Sequence, residues 1–126
     1  MTATLERTTN DTFPLATGKR LALRLVLRVS TPEPTGSDIA IRVRCGSPRN
    51  DALYAPAIMG AVHAAVARAG LPLPPGGFLC EVSVGPVPSR IAASTAERIK
   101  VQVFHWTYAA ILDLLPIMVE RARKKA

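Results

Sequence analysis

Two segments in which apolar and polar residues alternate constrain the fold of this chain more than any other feature. The first, RLALRLVLRVS at residues 20–30, and the second, IAIRVRC at residues 39–45, each place their apolar residues on one face. A period of two residues is typical of a strand with one buried face. Because a short loop with two prolines and a glycine joins the segments, we expect an antiparallel hairpin with a basic outer face. The arginines on that outer face are Arg24, Arg28, Arg42 and Arg44.

A helix and a third strand are expected next. The run GSPRND breaks the second strand, and Asn50 or Asp51 is expected to cap a helix that ends at Gly70. Pro56 would lie in the first turn of this helix, where proline is tolerated. After the stiff linker LPLPPGG, the segment FLCEVSVG at residues 78–85 alternates again and predicts a strand with its apolar side chains facing the core.

Residues 95–106 fit two structures equally well. Their β-branched residues alternate with polar ones, which favours a fourth strand. Ser94 followed by Glu97 is a helix start signal, however, and the apolar residues behind it also recur at helical spacing. The pattern leaves both structures open. The segment after Trp106 is predicted to be helical, with a kink or an interruption at Pro116.

The order of these elements predicts an α+β fold. We expect a two-layer sandwich in which a mostly antiparallel sheet of three to four strands is covered by two helices. With 126 residues, of which 48% are hydrophobic, the chain can bury one core and is expected to form one domain. Residues 1–18 are rich in threonine and lack periodicity, so we expect a flexible N-terminal arm followed by a single domain over residues 19–126.

From about residue 38 to residue 115, the chain resembles domain IV of translation elongation factor G and the matching domain of the tetracycline-resistance ribosomal protection proteins. The resemblance rests on Pro56, Ala57, Gly70, Leu71, Cys80–Val84 and Ser94–Thr95. It implies a helix over residues 95–106, a left-handed βαβ crossover, and a stand-alone relative that contacts ribosomal or other RNA through its tip loops. The equivalent tip loop here, PVPSRIAAS, lacks the histidine and the acidic residue of the family, and no P-loop pattern occurs. Translocase activity is therefore not expected.

No group of residues has the spacing of a catalytic or metal-binding motif. Neither His63 nor His105 is tied to a nucleophile or a carboxylate by a known spacing, so we expect partly buried, hydrogen-bonded histidines. Cys45 and Cys80 occupy positions where small buried apolar residues fit, and no metal ligand stands at a suitable spacing from them. We therefore predict that the protein is not an enzyme and has no catalytic residue, metal site or cofactor.

The charge of the chain points to a polyanionic partner. Sixteen Lys and Arg residues stand against nine Asp and Glu residues, which gives a net charge of +7. The predicted nucleic-acid-binding residues, expected at one rim of the sheet, are Arg42, Arg44, Arg49 and Arg90. We accordingly predict a non-enzymatic module that binds RNA, the ribosome or another ribonucleoprotein through a basic rim. Because aromatic residues make up only 5% of the chain, a base-stacking platform is not expected.

An assembly role is the alternative. The apolar segment AAILDLLPIMV of the last helix has more hydrophobic surface than a small sheet is expected to cover, which would suit a homodimer or an accessory subunit. No uninterrupted apolar run reaches the roughly 18 residues that a membrane span needs, and the first residues do not read as a signal peptide. We therefore expect a cytoplasmic protein with no membrane partner.

Overall fold

The computed structural model describes residues 4–15, 18–31, 39–73, 77–88 and 91–124. Its strands and helices, in chain order, are β1 (Thr4–Pro14), β2 (Arg20–Ser30), β3 (Ile39–Arg44), α1 (Pro48–Ala69), β4 (Phe78–Gly85) and α2 (Ala93–Lys124). The four strands form one mixed sheet, and the two helices contact each other and the sheet. The predicted α+β class, a mostly antiparallel sheet covered by two helices, is confirmed.

The strand order is β1-β2-β4-β3, so the predicted hairpin between β2 and β3 is wrong. Strand β4 lies between them, antiparallel to β2 and parallel to β3. The physical reason is that the two strands differ in how completely their inward side chains are buried. The inward side chains of β4 are almost fully buried, whereas those of β3 are half-buried, so β4 takes the central position and β3 the edge. Helix α1 makes the crossover from β3 to β4, and the left hand of this crossover stays a prediction.

Strand β1 forms the other edge of the sheet. It pairs antiparallel with β2 along its whole length, from Thr4–Ser30 to Pro14–Arg20. Three contacts tie it to helix α2, one of them a hydrogen bond that Arg98 donates to the carbonyl of Pro14 at 2.9 Å. The ring of Phe13 stacks on that of Trp106 with centroids 5.8 Å apart, and Arg7 forms an ion pair with Asp113. Because its outward residues face solvent and its partner strand supplies the hydrogen bonds, a polar sequence is sufficient for this edge strand.

The prediction of a flexible arm over residues 1–18 is therefore wrong for Thr4–Pro14. This segment belongs to the same sheet as the rest of the domain. The error has a physical origin, because the segment has too few apolar residues to show a period of two, and its pairing depends on β2. Residues 1–3 and 16–17 of the predicted arm lie outside the described residues.

Helix α1 begins earlier than predicted. Ser47, not Asn50 or Asp51, is the N-cap, and its Oγ accepts the Asn50 N–H at 3.2 Å, with Pro48 in the first turn. Pro56 consequently lies inside the helix rather than in its first turn. The two predicted caps serve a different purpose. The Asn50 amide donates to the carbonyl of Cys45, and the Asp51 carboxylate accepts the Cys45 N–H, so both fasten the end of β3 to the helix.

The C-terminal stop of α1 is confirmed. Gly70 adopts the left-handed conformation at φ 62°, and its N–H donates to the carbonyl of Val66. A residue with a Cβ is strained at this φ, which explains the glycine.

Residues 95–106 are helical and form the first part of α2. Burial explains why the helix forms here. Ile99 and Val103 are completely buried, whereas Val101 is 55% exposed. A strand would have placed all three side chains on one face, but a helix turns Val101 away from the core. The helix begins one residue before Ser94, and it continues through Pro116 without interruption.

The core lies between the sheet and the helices. Alternate residues of β2 and β4 are buried in one cluster with residues of both helices, including Leu25, Leu27, Val82, Ile58 and Ile111. Each such side chain contributes about 1.5–3 kcal/mol when it is fully removed from water. The helices cover only this face, so the opposite face of the sheet is exposed along most of its strand residues.

Both helices have the length and mean hydropathy of a membrane-crossing segment, over Pro48–Ala69 and Ala93–Arg121. This property follows from length and composition alone, and core helices of globular domains share it. Here both helices contribute buried residues to the same core as the sheet.

Candidate nucleic-acid interface

The sheet face opposite the helices consists of the even-numbered residues of β1, β2 and β3 and the odd-numbered residues of β4. We call it the open face. The strand register arranges its side chains in rows that cross the sheet. One row is Glu6, Arg28, Glu81 and Arg42, and the next is Thr8, Val26, Ser83 and Arg44. The charged residues on the open face are Arg20, Arg24, Arg28, Arg42, Arg44, Glu6 and Glu81. Arginines therefore outnumber carboxylates five to two on this face.

The three arginines of β2 are held by polar residues of β1. Arg28 donates from Nε and Nη2 to Oε2 of Glu6, at 3.2 and 2.9 Å. Arg24 donates from Nε to the side-chain oxygen of Asn10 at 3.0 Å. Arg20 donates twice to Oγ1 of Thr12, at 3.1 and 2.9 Å. Only Arg28 has a charged partner among the three, so Arg20 and Arg24 keep their full positive charge uncompensated by β1.

Arg42 and Arg44 differ from the arginines of β2. Both are exposed on the edge strand β3, and neither forms an ion pair with any described residue. They line a cavity of about 250 Å³ together with Arg28, Glu81 and Ser83. Glu81 is the cross-strand neighbour of both Arg28 and Arg42, so it stands between two guanidinium groups. The cavity is thus a cation-rich hollow with one carboxylate and one hydroxyl.

The predicted site residues divide into three groups. Arg42 and Arg44 lie together in the cavity just described. Arg49 is exposed in the first turn of α1 and lines a different hollow, of about 500 Å³, with Leu53, Lys100 and other residues of the helix starts. Arg90 lies outside the described residues. Arg49 therefore does not share the cavity with Arg42 and Arg44.

Arg28 lines the same cavity but is not among the nucleic-acid-binding residues predicted from the sequence. The alternation in β2 placed it on the outer face, and that signal was correct. The strand register brings Arg28 to the cavity, because β4 lies between β2 and β3. Glu81 of β4 is the cross-strand neighbour of both Arg28 and Arg42. The assumed β2–β3 hairpin offered no way to derive this arrangement.

The other candidate residues have different surroundings. His63 and His105 are both exposed on the helices, and neither hydrogen-bonds to a described residue, so the expectation of partly buried, hydrogen-bonded histidines is wrong. Their helical positions face away from the core stripe. Cys45 and Cys80 are completely buried in the core, as predicted. Within the described part of the chain, no three His, Cys, Asp or Glu residues are grouped so that they could hold a metal ion.

Burial governs the acidity of both thiols. It raises the pKa of Cys45 to about 11, with a smaller contribution from the negative charge of Asp51. It raises the pKa of Cys80 to about 12, with a smaller contribution from Glu81. Both groups are therefore neutral thiols at physiological pH, a state that is poorly nucleophilic and poorly suited to metal ligation.

The sequence matches no known family model, and no curated protein is significantly similar to it. The resemblance to domain IV of elongation factor G stays a prediction.

Proposed function

We propose that this protein is a non-enzymatic module that binds RNA or a ribonucleoprotein through its open face. The observation that carries the proposal is the pair Arg42 and Arg44. These two guanidinium groups are exposed, lie beside Arg28 in one cavity, and have no carboxylate partner among the described residues. An arginine without an internal partner is available for an external anion.

Phosphodiester groups suit this surface chemically. The planar guanidinium group donates two parallel hydrogen bonds to a phosphate, and such charge-assisted bonds are roughly twice as strong as neutral ones. The remaining lining residues, Glu81 and Ser83 among them, include no histidine or cysteine. Histidine is the side chain that most often acts as a general base, so the cavity offers mainly groups that bind an anion.

The net charge of the whole chain acts in the same direction. A net charge of +7 on 126 residues accelerates encounter with any polyanion, and the open face gives that attraction a preferred orientation. Binding through phosphates implies a steep dependence on salt, because each neutralised phosphate releases condensed counterions and contributes about −0.9 (duplex) or −0.7 (single strand) to the slope of log K against log salt.

The test is fluorescence anisotropy with labelled structured RNA between roughly 50 and 200 mM salt. The variant Arg42→Ala/Arg44→Ala is expected to bind at least ten-fold more weakly at low salt and to reduce the slope by about 2. The matched control is Arg68→Ala/Arg121→Ala, which removes the same charge from exposed positions on the two helices. Equal losses of affinity in both variants, or no RNA binding by the unaltered protein, would contradict the proposal.

The alternative, assembly through the last helix, has less support. Most apolar residues of the segment 109–119 are buried within the chain, and only Ile117 among its large apolar side chains is exposed. The other exposed large apolar residue of α2, Val101, lies 16 residues away, which is about 24 Å along a helix axis. The two residues therefore do not form one apolar patch. Light scattering after nuclease treatment distinguishes the proposals, since assembly through α2 requires a stable dimer in the absence of RNA.

A further inference from the structure

We propose that the RNA bound by the open face is double-helical, and that the face lies across a groove with a sugar–phosphate backbone on each side. This inference rests on the proposed function. It follows from how the arginines, the hydroxyl groups and the aromatic residues are distributed over the described strands.

The arginines of the open face form two separate lines. Arg20, Arg24 and Arg28 on β2 form one line, and Arg42 and Arg44 on β3 form the other. Because β4 separates β2 from β3, the backbones that carry the two lines are about 10 Å apart at a strand spacing of about 4.8 Å. A single nucleic-acid strand needs one line of cations to follow its backbone. Two lines with a gap between them match two backbones that flank a groove.

The gap between these lines is narrow and polar. The residues of β4 on this face are the half-buried Leu79, Glu81, the exposed Ser83 and Gly85, and the two that lie opposite Arg42 and Arg44 are Glu81 and Ser83. A carboxylate accepts hydrogen bonds and a serine hydroxyl both donates and accepts, so both can bond to ribose 2′-hydroxyl groups. Double-stranded RNA displays its 2′-hydroxyl groups in a wide, shallow minor groove that is read through shape and phosphate contacts. The negative charge of Glu81 repels phosphate groups. The sugar–phosphate backbones therefore contact the arginines on either side of β4.

Arg24 retains most of its capacity to bind a phosphate. Its hydrogen bond to Asn10 uses one of the five N–H donors of a guanidinium group. The bond also limits the rotamers of the side chain, so less conformational entropy is lost on binding. Strand β1 therefore positions the β2 line without neutralising Arg24.

The open face lacks a platform for unpaired bases. Proteins that bind single strands stack bases on exposed aromatic side chains, and each stacked base contributes about 1–3 kcal/mol. None of the described strand residues on the open face is aromatic. The rings of Phe13 and Phe78 lie on the buried face, and the remaining described rings belong to the helices. Recognition by stacking is consequently not available on this surface.

The experiment compares three labelled probes by anisotropy at the same salt concentration: an RNA duplex of about 16 base pairs, one of its strands alone, and the DNA duplex of the same sequence. We expect the RNA duplex to bind at least about ten-fold more tightly than the single strand. Arg42→Ala/Arg44→Ala should weaken binding to both duplexes. Ser83→Ala should weaken binding to the RNA duplex by about two- to ten-fold, the value of one hydrogen bond, and leave the DNA duplex unaffected.

The outcomes separate the two proposals. Equal or tighter binding of the single strand overturns the double-helical inference and leaves the RNA-binding function standing. Equal affinity for both duplexes together with an inert Ser83→Ala variant overturns the groove geometry. The absence of binding to any probe overturns the inference and the proposed function together. Circular dichroism of each variant excludes unfolding as the cause of a loss.

Discussion

At the scale of single residues, the contact between Glu6 and Arg28 joins a carboxylate of the open face to one of its arginines. The carboxylate of Glu6 occupies the Nε and Nη2 donors of Arg28, the same donors that would grip a phosphate. Glu6 thus competes from within the chain for a cation of the cavity. Both side chains are about half exposed, so the pair contributes little to folding stability.

The variant Glu6→Gln tests this competition. It removes the negative charge of residue 6 and weakens its hydrogen bonds with Arg28. The RNA duplex is therefore expected to bind about two- to ten-fold more tightly, which is the change that roughly one additional phosphate contact produces. The measurement is the same anisotropy titration. Glu97→Gln is the control, because Glu97 pairs with Lys100 on α2, far from the sheet's exposed side, and its loss changes the net charge equally. A gain of the same size in the control, or weaker binding by Glu6→Gln, contradicts the prediction.

Tyr54 provides a second prediction at this scale. Its side chain is completely buried, and its hydroxyl finds no hydrogen-bond partner among the described residues. A buried hydroxyl without a partner costs about 1–3 kcal/mol, so Tyr54→Phe is expected to raise the free energy of unfolding by about 1 kcal/mol. Urea unfolding measures the change. Tyr108→Phe is the matched control, since Tyr108 is only half-buried and should change little. Destabilisation by Tyr54→Phe would mean that the hydroxyl is bonded.

At the scale of elements, Gly60 inside α1 and Gly70 at its C-terminal cap differ in the backbone conformation that each position requires. Gly60 lies in the middle of the helix, and a Cβ added there would meet Cε2 of Phe104 at 3.8 Å, an ordinary van der Waals contact. Gly60→Ala is therefore expected to stabilise the protein by about 0.5–1 kcal/mol, because alanine loses less backbone entropy in a helix. Gly70→Ala is expected to destabilise it by a similar or larger amount, because φ there is +62°.

Thermal or urea unfolding of the two single variants measures this prediction. The two substitutions are chemically identical and lie ten residues apart, so any difference in sign comes from backbone conformation. A loss of stability in Gly60→Ala would show that α1 and α2 pack too closely at Phe104 to accept a methyl group.

At the scale of the whole molecule, the buried ionisable groups make the fold sensitive to alkali. The pKa values of Cys45 and Cys80 are raised from 9.0 to about 11 and about 12, and burial also raises the pKa of Tyr54. A group with a raised pKa in the folded state binds more protons than in the unfolded chain, so its contribution to stability is complete below the unfolded pKa. We therefore expect stability to be unaffected by these groups up to about pH 9 and to fall between about pH 9 and 12.

Urea unfolding at several pH values between about 8 and 12 measures this decrease in the free energy of unfolding. The variant Cys45→Ala/Cys80→Ala is expected to be less stable overall, because both side chains are buried, but to lose less stability at alkaline pH. A thiol reagent at pH 8 is expected to leave both cysteines of the folded protein unmodified and to react with them in urea. Rapid modification of the native protein would contradict the burial of either thiol.

Local patterns in the sequence were sufficient for much of this fold. The alternation in residues 20–30, 39–45 and 78–85 predicted three strands and the face that each one buries, because a period of two depends only on neighbouring residues. Gly70 predicted the end of α1 for an equally local reason. The pattern at residues 95–106 satisfied both a strand and a helix, and only the exposure of Val101 between the buried residues Ile99 and Val103 distinguished them.

What the sequence determined by itself is strands β2, β3 and β4 with their buried faces, the end of helix α1 and the positive charge of the chain. Only the tertiary structure decided that β4 separates β2 from β3, that β1 completes the sheet, and that Arg28 joins Arg42 and Arg44 around one cavity. The reason is that the pairing of strands depends on burial and hydrogen bonds between segments far apart in the chain. The alternation of side chains within one strand shows which face is buried but not which strand pairs with it.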